Sequence, residues 1–412
     1  MNKKKIYHFS QNLISLFTVK GLELALTLGL IPYLIFKVGV ENYGKYAFAM
    51  AMVLFFVNFL NYGFDLSAVR ELAKNKNNLE KVEQLFNEVF SVKLFLIGIA
   101  YCIIFILVLF IPRFEEARNL FLLASLLLIG DLFSLRWFFL GLEKMKFITL
   151  ISFLSTLIYV GLVIVFIKHK EDFIWIPVAE AIGLFVVSGL SFVGVLKQFK
   201  IKVQLLSFRE IGVYLKSHFN SYINLLLPST TGVIMVFLVG LFGLPNTVAL
   251  MQIGVKFTSA FSTVNTILTT VFYPMVNREQ RNIKASRMVL LGIGFCLSLV
   301  MFFGSPFLIA HWLKLKSVTD FENTIYIIKY LSPIPFLMGA ISGYGVNGLL
   351  VYFEDQLYSW ITIVATLFMI VLGCVLIPVL TIIGGAIAFV SGRLLYALLS
   401  YYFFKLKVSE VH

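Results

Sequence analysis

Charge is what this sequence has least of. Of its 412 residues only 13% are Asp, Glu, Lys or Arg, whereas 60% are hydrophobic and 16% aromatic, with 43 Phe. A soluble chain of this length needs a charged surface that these residues cannot supply, which leaves lipid as the medium for its apolar surface. Cysteine is also scarce. Cys102, Cys296 and Cys374 lie in separate apolar stretches, which excludes a disulfide framework and a paired-thiolate metal site; they read as packing residues. The five His, at 8, 169, 218, 311 and 412, are scattered, so no metal site is expected. No Ser/His/Asp arrangement can be assembled, no cofactor is implied, and no polar segment is long enough for a soluble catalytic domain. The chain reads as a non-enzyme.

What is present is a net charge of +13. Its Lys and Arg sit in short clusters between apolar runs rather than on one interleaved surface, which argues against nucleic acid and for topology signals and contacts with anionic lipid. A spanning helix needs about 20 mostly apolar residues. Twelve such stretches are expected, near 11–36, 46–66, 89–111, 119–140, 147–167, 173–196, 217–242, 247–273, 288–311, 324–350, 358–378 and 382–404. The first, behind Lys3, Lys4 and Lys5, is too long and too polar for a cleaved signal and reads as retained. With the N-terminus in the cytoplasm, 22 of the 34 Lys and Arg fall on the inner side and eight on the outer. Both termini are therefore expected inside.

The halves look related. Gly39-Val-Glu-Asn42 precedes the second helix and Gly243-Leu-Pro-Asn246 the eighth, with the polar segment 197–216 between two sets of six. This places a domain boundary at 204/205 (residues 1–204 and 205–412) and implies a pseudo-two-fold axis along the membrane normal. Gly39 to Tyr46 mimics the start of a phosphate-binding loop but lacks its closing Ser/Thr and follows no parallel strand.

The eighth helix is the most informative. Gln252, Lys256, Ser259, Thr263, Thr266 and Thr270 recur at spacings of 4, 3, 4, 3 and 4, one polar stripe on one face. Hydroxyls alone fit interhelical hydrogen bonding as well as a wet cavity; a mid-span ammonium such as Lys256 calls for water, a counter-ion or an anionic ligand. The seventh helix carries Asn220, Asn224, Pro228 and Thr231 on a similar face, with Pro228 a hinge or a plain kink. In the first, Lys20 and Glu23 form either a self-neutralised pair or half of a site. Lys20 and Lys256 each lie roughly 14–15 Å deep, so two cations from opposite halves could hold one anion. Arg393 is also deep. Asp131 and Glu180 are deep acids able to pair with a cation or carry a coupling ion, H⁺ or Na⁺. Arg136 and Lys329 lie nearer helix ends, and Asp65 and Arg70 are placed to pair at headgroup level.

Several segments are familiar. Gly39-Val-Glu-Asn-Tyr-Gly44-Lys-Tyr46-Ala, Tyr62-Gly-Phe-Asp65, Arg70-Glu-Leu-Ala73, Trp137-Phe-Phe-Leu-Gly-Leu-Glu-Lys-Met145, Phe272-Tyr-Pro274 and Gly384-Gly-Ala-Ile-Ala388 occur in order along the chain. Together the pattern resembles the Wzx-type O-antigen and polysaccharide-repeat-unit flippases of the multidrug/oligosaccharidyl-lipid/polysaccharide exporter superfamily. Leu140 stands where that family has Gln, so no polar role is carried over to it. The resemblance implies an all-α membrane protein of two six-helix bundles around a central cationic cavity, gated by helices 1, 2, 7 and 8. It implies a cargo of oligosaccharide on undecaprenyl pyrophosphate, flipped outward across the bacterial cytoplasmic membrane by alternating access, with a polysaccharide polymerase as a further partner. A multidrug/cation antiporter of the same superfamily is the alternative, which would favour acids in its cavity. A glycan polymerase or ligase would need a large outer loop.

Overall fold

In hydrocarbon every backbone N–H and C=O must be satisfied within the chain, and long apolar runs meet that demand as helices. The computed structural model describes the backbone of residues 3–278, 282–313, 317–352 and 355–411, and side chains from 21 onward apart from 23, 220–221, 224–225, 228, 274, 277–281, 314–316, 318, 353–355 and 408–412. Eight stretches among these are long and apolar enough to cross a membrane. The protein is an all-helical, multi-pass membrane protein.

Two elements are too long for one crossing. Helix α1 (Lys3–Asn61) has 59 residues and the final helix, α14 (Asp355–Val411), has 57, each spanning well over 80 Å if straight against a core of about 30 Å. Each holds a single non-helical residue. In α1 it is Gly39 (φ 85, ψ 162), a conformation that costs little only without a Cβ. In α14 it is Thr381 (φ 50, ψ −125), three residues after Pro378. Beyond that break Gly384 packs on the backbone of Leu376 and Ile377, so the chain folds back and α14 is a hairpin. Two passes in each, with α9 and α10 below as polar passes, account for the twelve expected. The expected loop 37–45 shrinks to one residue.

The chain divides into two compact units, one comprising Met1–Asn42 and Met52–Leu226, the other Tyr43–Ala51 and Leu227–His412. The first contains most of α1, then α2 (Ser67–Asn75), α3 (Leu79–Phe110), α4 (Arg118–Ser125), α5 (Leu127–Leu132), α6 (Arg136–Gly141), α7 (Met145–Phe166), α8 (Ile176–Phe199) and the start of α9 (Phe208–Phe242). The fourth expected span is thus three short helices, α4 to α6, rather than one rod. The unit reaches past residue 204 because the extended segment 201–207 is strapped to α3. Backbone N–H groups of Lys202, Gln204 and Leu206 donate to Glu83 Oε1 (2.9 Å), Asn87 Oδ1 (3.1 Å) and Ser91 Oγ (3.0 Å), and Asn87 Nδ2 donates to the Lys202 carbonyl (3.0 Å). Two extended residues advance about 6.7 Å and four helical ones about 6 Å, so the two periods stay in step. Farther along, Tyr222 of α9 stacks on Tyr62 at 4.4 Å, and the Tyr62 hydroxyl donates to the Leu215 carbonyl at 2.8 Å.

The second unit holds the rest of α9, α10 (Pro245–Arg278), α11 (Ile283–Trp312), α12 (Val318–Leu331), α13 (Ile334–Ala340), a π turn (Ile341–Val346) and α14. Pro333 and Pro335 interrupt the tenth span, and its loosened backbone is patched from neighbours. Asn265 Nδ2 donates to the Pro335 carbonyl (2.7 Å), and Ser298 Oγ accepts from the Phe336 N–H (3.0 Å). The two turns matched in sequence meet here. Gly44 lies so close to the Pro245 carbonyl that a Cβ has no room.

Cys102, Cys296 and Cys374 are exposed on the outside of their helices, not packed inside as expected. Exposure is ordinary for a small apolar side chain on a face that meets lipid.

Candidate functional site

The polar stripe on α10 is where sequence and structure converge on one surface. Ser259, Thr266 and Thr270 are exposed, and Gln252, Lys256 and Thr263 are half-buried. The hydroxyls of Thr263, Thr266 and Thr270 each donate to the carbonyl four residues back, at 2.8, 3.2 and 3.0 Å. Their oxygens therefore face outward mainly as acceptors. Lys256 has no hydrogen bond or ion pair among the described residues. A bare ammonium at mid-span costs about 3 kcal/mol; among the described residues nothing offsets that cost for Lys256, which is half-buried.

A second stripe, which sequence reasoning missed, lines another side of α10, about 110° around the helix at 3.6 residues per turn. Thr258, Ser262, Asn265 and Thr269 are all under 9% exposed and recur at spacings of 4, 3 and 4. Thr258 and Thr269 bond back to the Gly254 and Asn265 carbonyls, while Asn265 reaches α13. Interhelical hydrogen bonding therefore belongs to this face. Its period was visible in the sequence, but period alone does not say which of two polar faces packs.

Arg393 lies inside the second unit, 8% exposed. Its guanidinium donates to the Thr231 hydroxyl and stands 5.6 Å over the Phe389 ring, and its Nε has no partner. No carboxylate pairs with it among the described residues. Pro228, Asn220 and Asn224 belong to α9 by backbone, but their side chains lie outside the described residues, as do those of Lys20 and Glu23.

The deep acid Asp131 is paired. Lys93, 5% exposed, donates to Asp131 Oδ2 (3.3 Å) and to the carbonyls of Asp131 (2.9 Å) and Ser134 (3.4 Å). Glu180 on α8 is half-buried and engaged. Asp65 does not pair with Arg70. Its partner is Arg136, at 3.1 Å, because the break before α6 brings Arg136 beside the inner end of α1; Arg70 is exposed. Nearby, Gly141 packs tightly on Leu72 and joins two of the familiar segments. Lys329 stands 5.5 Å over the Phe302 ring.

A cavity of about 760 Å³ opens in the first unit beside the strap, lined among others by Glu71, Glu80, Glu83, Glu88 and Glu210. Its charge is wrong for an anion. Glu210 accepts from the Ser207 hydroxyl (2.6 Å) and N–H (2.8 Å), and these bonds hold its carboxyl below the usual carboxylate range. No group of three or more His, Cys, Asp or Glu able to hold a metal occurs among the described residues.

Residues 9–280, more than half of the chain, match the family described as polysaccharide biosynthesis protein. The chain belongs to that family. A relative from Escherichia coli (strain K12) named "Putative O-antigen transporter" is 27% identical over 399 residues, covering 95% of each chain. Among solved structures, the lipid II flippase MurJ in an inward closed conformation superposes with a TM-score of 0.76 at 16% identity, covering 95% of this chain and 87% of that one. An inward-facing multidrug resistance MATE family transporter of the MOP superfamily superposes with a TM-score of 0.68 at 15% identity, covering 93% and 98%. These superpositions establish that this member of the polysaccharide biosynthesis family shares the fold of that flippase and that transporter.

Proposed function

We propose that this protein is a flippase for oligosaccharide carried on undecaprenyl pyrophosphate, such as an O-antigen or capsule repeat unit. It works by alternating access from the cytoplasmic to the outer face of the bacterial cytoplasmic membrane, with both termini cytoplasmic. The observation that carries this reading is Lys256, an ammonium on the polar face of α10 with no hydrogen bond or ion pair among the described residues. A pyrophosphate supplies the missing counter-charge through charge-assisted hydrogen bonds. The hydroxyl and amide groups beside it suit sugars, and the lipid tail stays in the bilayer. Lys20, Glu23, Asn220, Asn224 and Arg393 are proposed to complete the binding surface, and Asp65, Arg70 and Pro228 to serve opening and closing. Family membership and the named E. coli relative support the same reading. The antiporter alternative has less support, since Asp131, the deep acid best placed to hold a cationic drug, already holds Lys93.

The test is complementation of a flippase-deficient strain. Lys256→Gln is expected to lose surface polysaccharide at least about tenfold, the effect of roughly 1.4 kcal/mol, at unchanged membrane abundance, and Lys256→Arg to retain most of it. Full complementation by Lys256→Gln sinks the anion-site reading.

A further inference from the structure

The fourth span stops at Leu132 and resumes at Arg136. A broken spanning helix leaves carbonyls at its C-terminal end without N–H partners, and these carry the negative end of the helix dipole. In transporters such half-helix ends and unwound carbonyls are where coupling cations bind. Here the break presents three oxygens to one point: the Asp131 carbonyl, which also accepts from the Ser134 N–H at 2.9 Å, Asp131 Oδ2 and the Ser134 carbonyl. What occupies that point is Lys93 Nζ, at 2.9, 3.3 and 3.4 Å. An ammonium has three donors, and each finds an acceptor. The lysine side chain is 6% exposed and the aspartate's 16%.

We infer that Lys93 is the resident cation of a cation-binding cage in the first unit. The cage is built as for a monovalent inorganic cation and is filled from within the chain, so Asp131 carries no coupling Na⁺. The inference concerns the energetics of the flippase proposed above and rests on that reading only for its consequence, that flipping does not draw on a Na⁺ gradient through this site.

The purified full-length protein is compared in Na⁺, K⁺ and N-methyl-D-glucamine chlorides at fixed ionic strength. Wild type is expected to melt at one temperature in all three. Lys93→Met leaves Asp131 and the two carbonyls without a cation, and is expected to melt roughly 5 °C lower in N-methyl-D-glucamine and to regain at least half of that in Na⁺ or K⁺. Lys93→Met/Asp131→Asn removes the charge as well and is expected to be indifferent to the cation. A Lys93→Met variant that melts alike in all three salts overturns the inference. So does a wild type whose stability depends on Na⁺ and loses that dependence in Asp131→Asn, an arm that stands even if Lys93→Met does not accumulate. The melting readout uses no lipid-linked sugar, so its result is separable from a failure of the flippase reading in complementation.

Discussion

Lys93 and Lys256 are the same side chain set on long helices of a membrane protein, and the chain treats them in opposite ways. Around Lys93 three oxygens saturate the ammonium; around Lys256 the described residues offer none. A buried charge with a full set of partners behaves as structure, because removing it strands the groups that faced it. A charge left without partners stabilises nothing in the resting protein. On the function proposed above, it is retained at a cost that a bound anion offsets. The contrast separates a cation held by the fold from the one proposed to bind, without appeal to sequence motif.

The sharpest way to break this comparison is to neutralise both residues identically. Lys93→Met is expected to destabilise the protein by about 3–5 kcal/mol through the stranded Asp131. Lys256→Met is expected to leave the melting temperature unchanged or higher while abolishing surface polysaccharide. Equal melting losses in the two variants would erase the distinction.

Smaller effects are expected at the strap. Asn87→Ala removes both bonds of its amide to the segment 201–207 and is expected to cost about 1–3 kcal/mol. Amide exchange at Lys202 and Gln204 should rise about tenfold or more, and it should stay protected in Gln84→Ala, whose side chain bonds Glu88 rather than the strap.

On α10 the two polar faces provide a finer comparison. Asn265→Leu leaves the Pro335 carbonyl without its donor and is expected to cost about 1–3 kcal/mol. Thr266→Val, on the exposed face, is expected to change stability by less than about 0.5 kcal/mol. Denaturation of the two variants side by side reads the difference.

The smallest effect concerns pH. Glu210 sits below the usual carboxylate range because Ser207 donates to its charged form. Its contribution is therefore present above the unfolded carboxylate value and is lost as pH falls through its own lower one. Acidification is expected to fray the start of α9, read by amide exchange at Arg209 to Ile211, and Glu210→Gln is expected to remove that pH response.

Much of this was legible in the residues. The apolar runs specified the passes, and the spacing of Gln252 to Thr270 specified a polar face, because helical period is a local property. Gly39 marked the break in α1 for the same reason. The buried polar face of α10 shows where local reasoning stops. Thr258 and Thr266 follow the same rhythm, and only packing against α13 and α12 makes one face interior. Asp65 and Arg70 are close in sequence and looked like a pair, but the turn after α1 points Asp65 toward Arg136 instead. The three Cys read as packing residues because apolarity and burial coincide in soluble proteins; where lipid is the solvent, they part.

By itself the sequence determined that this chain lives in a membrane as a set of helices, and which helix carries a polar face with a cation at mid-depth. Composition and period suffice for that, since both depend on neighbours within a turn or two. Only the tertiary structure decided which charges are spent on the fold and which are left over. That depends on where a helix breaks and what lies opposite the break, as with Lys93 and the carbonyls of Asp131 and Ser134, and groups from distant helices meet at a distance no local pattern encodes.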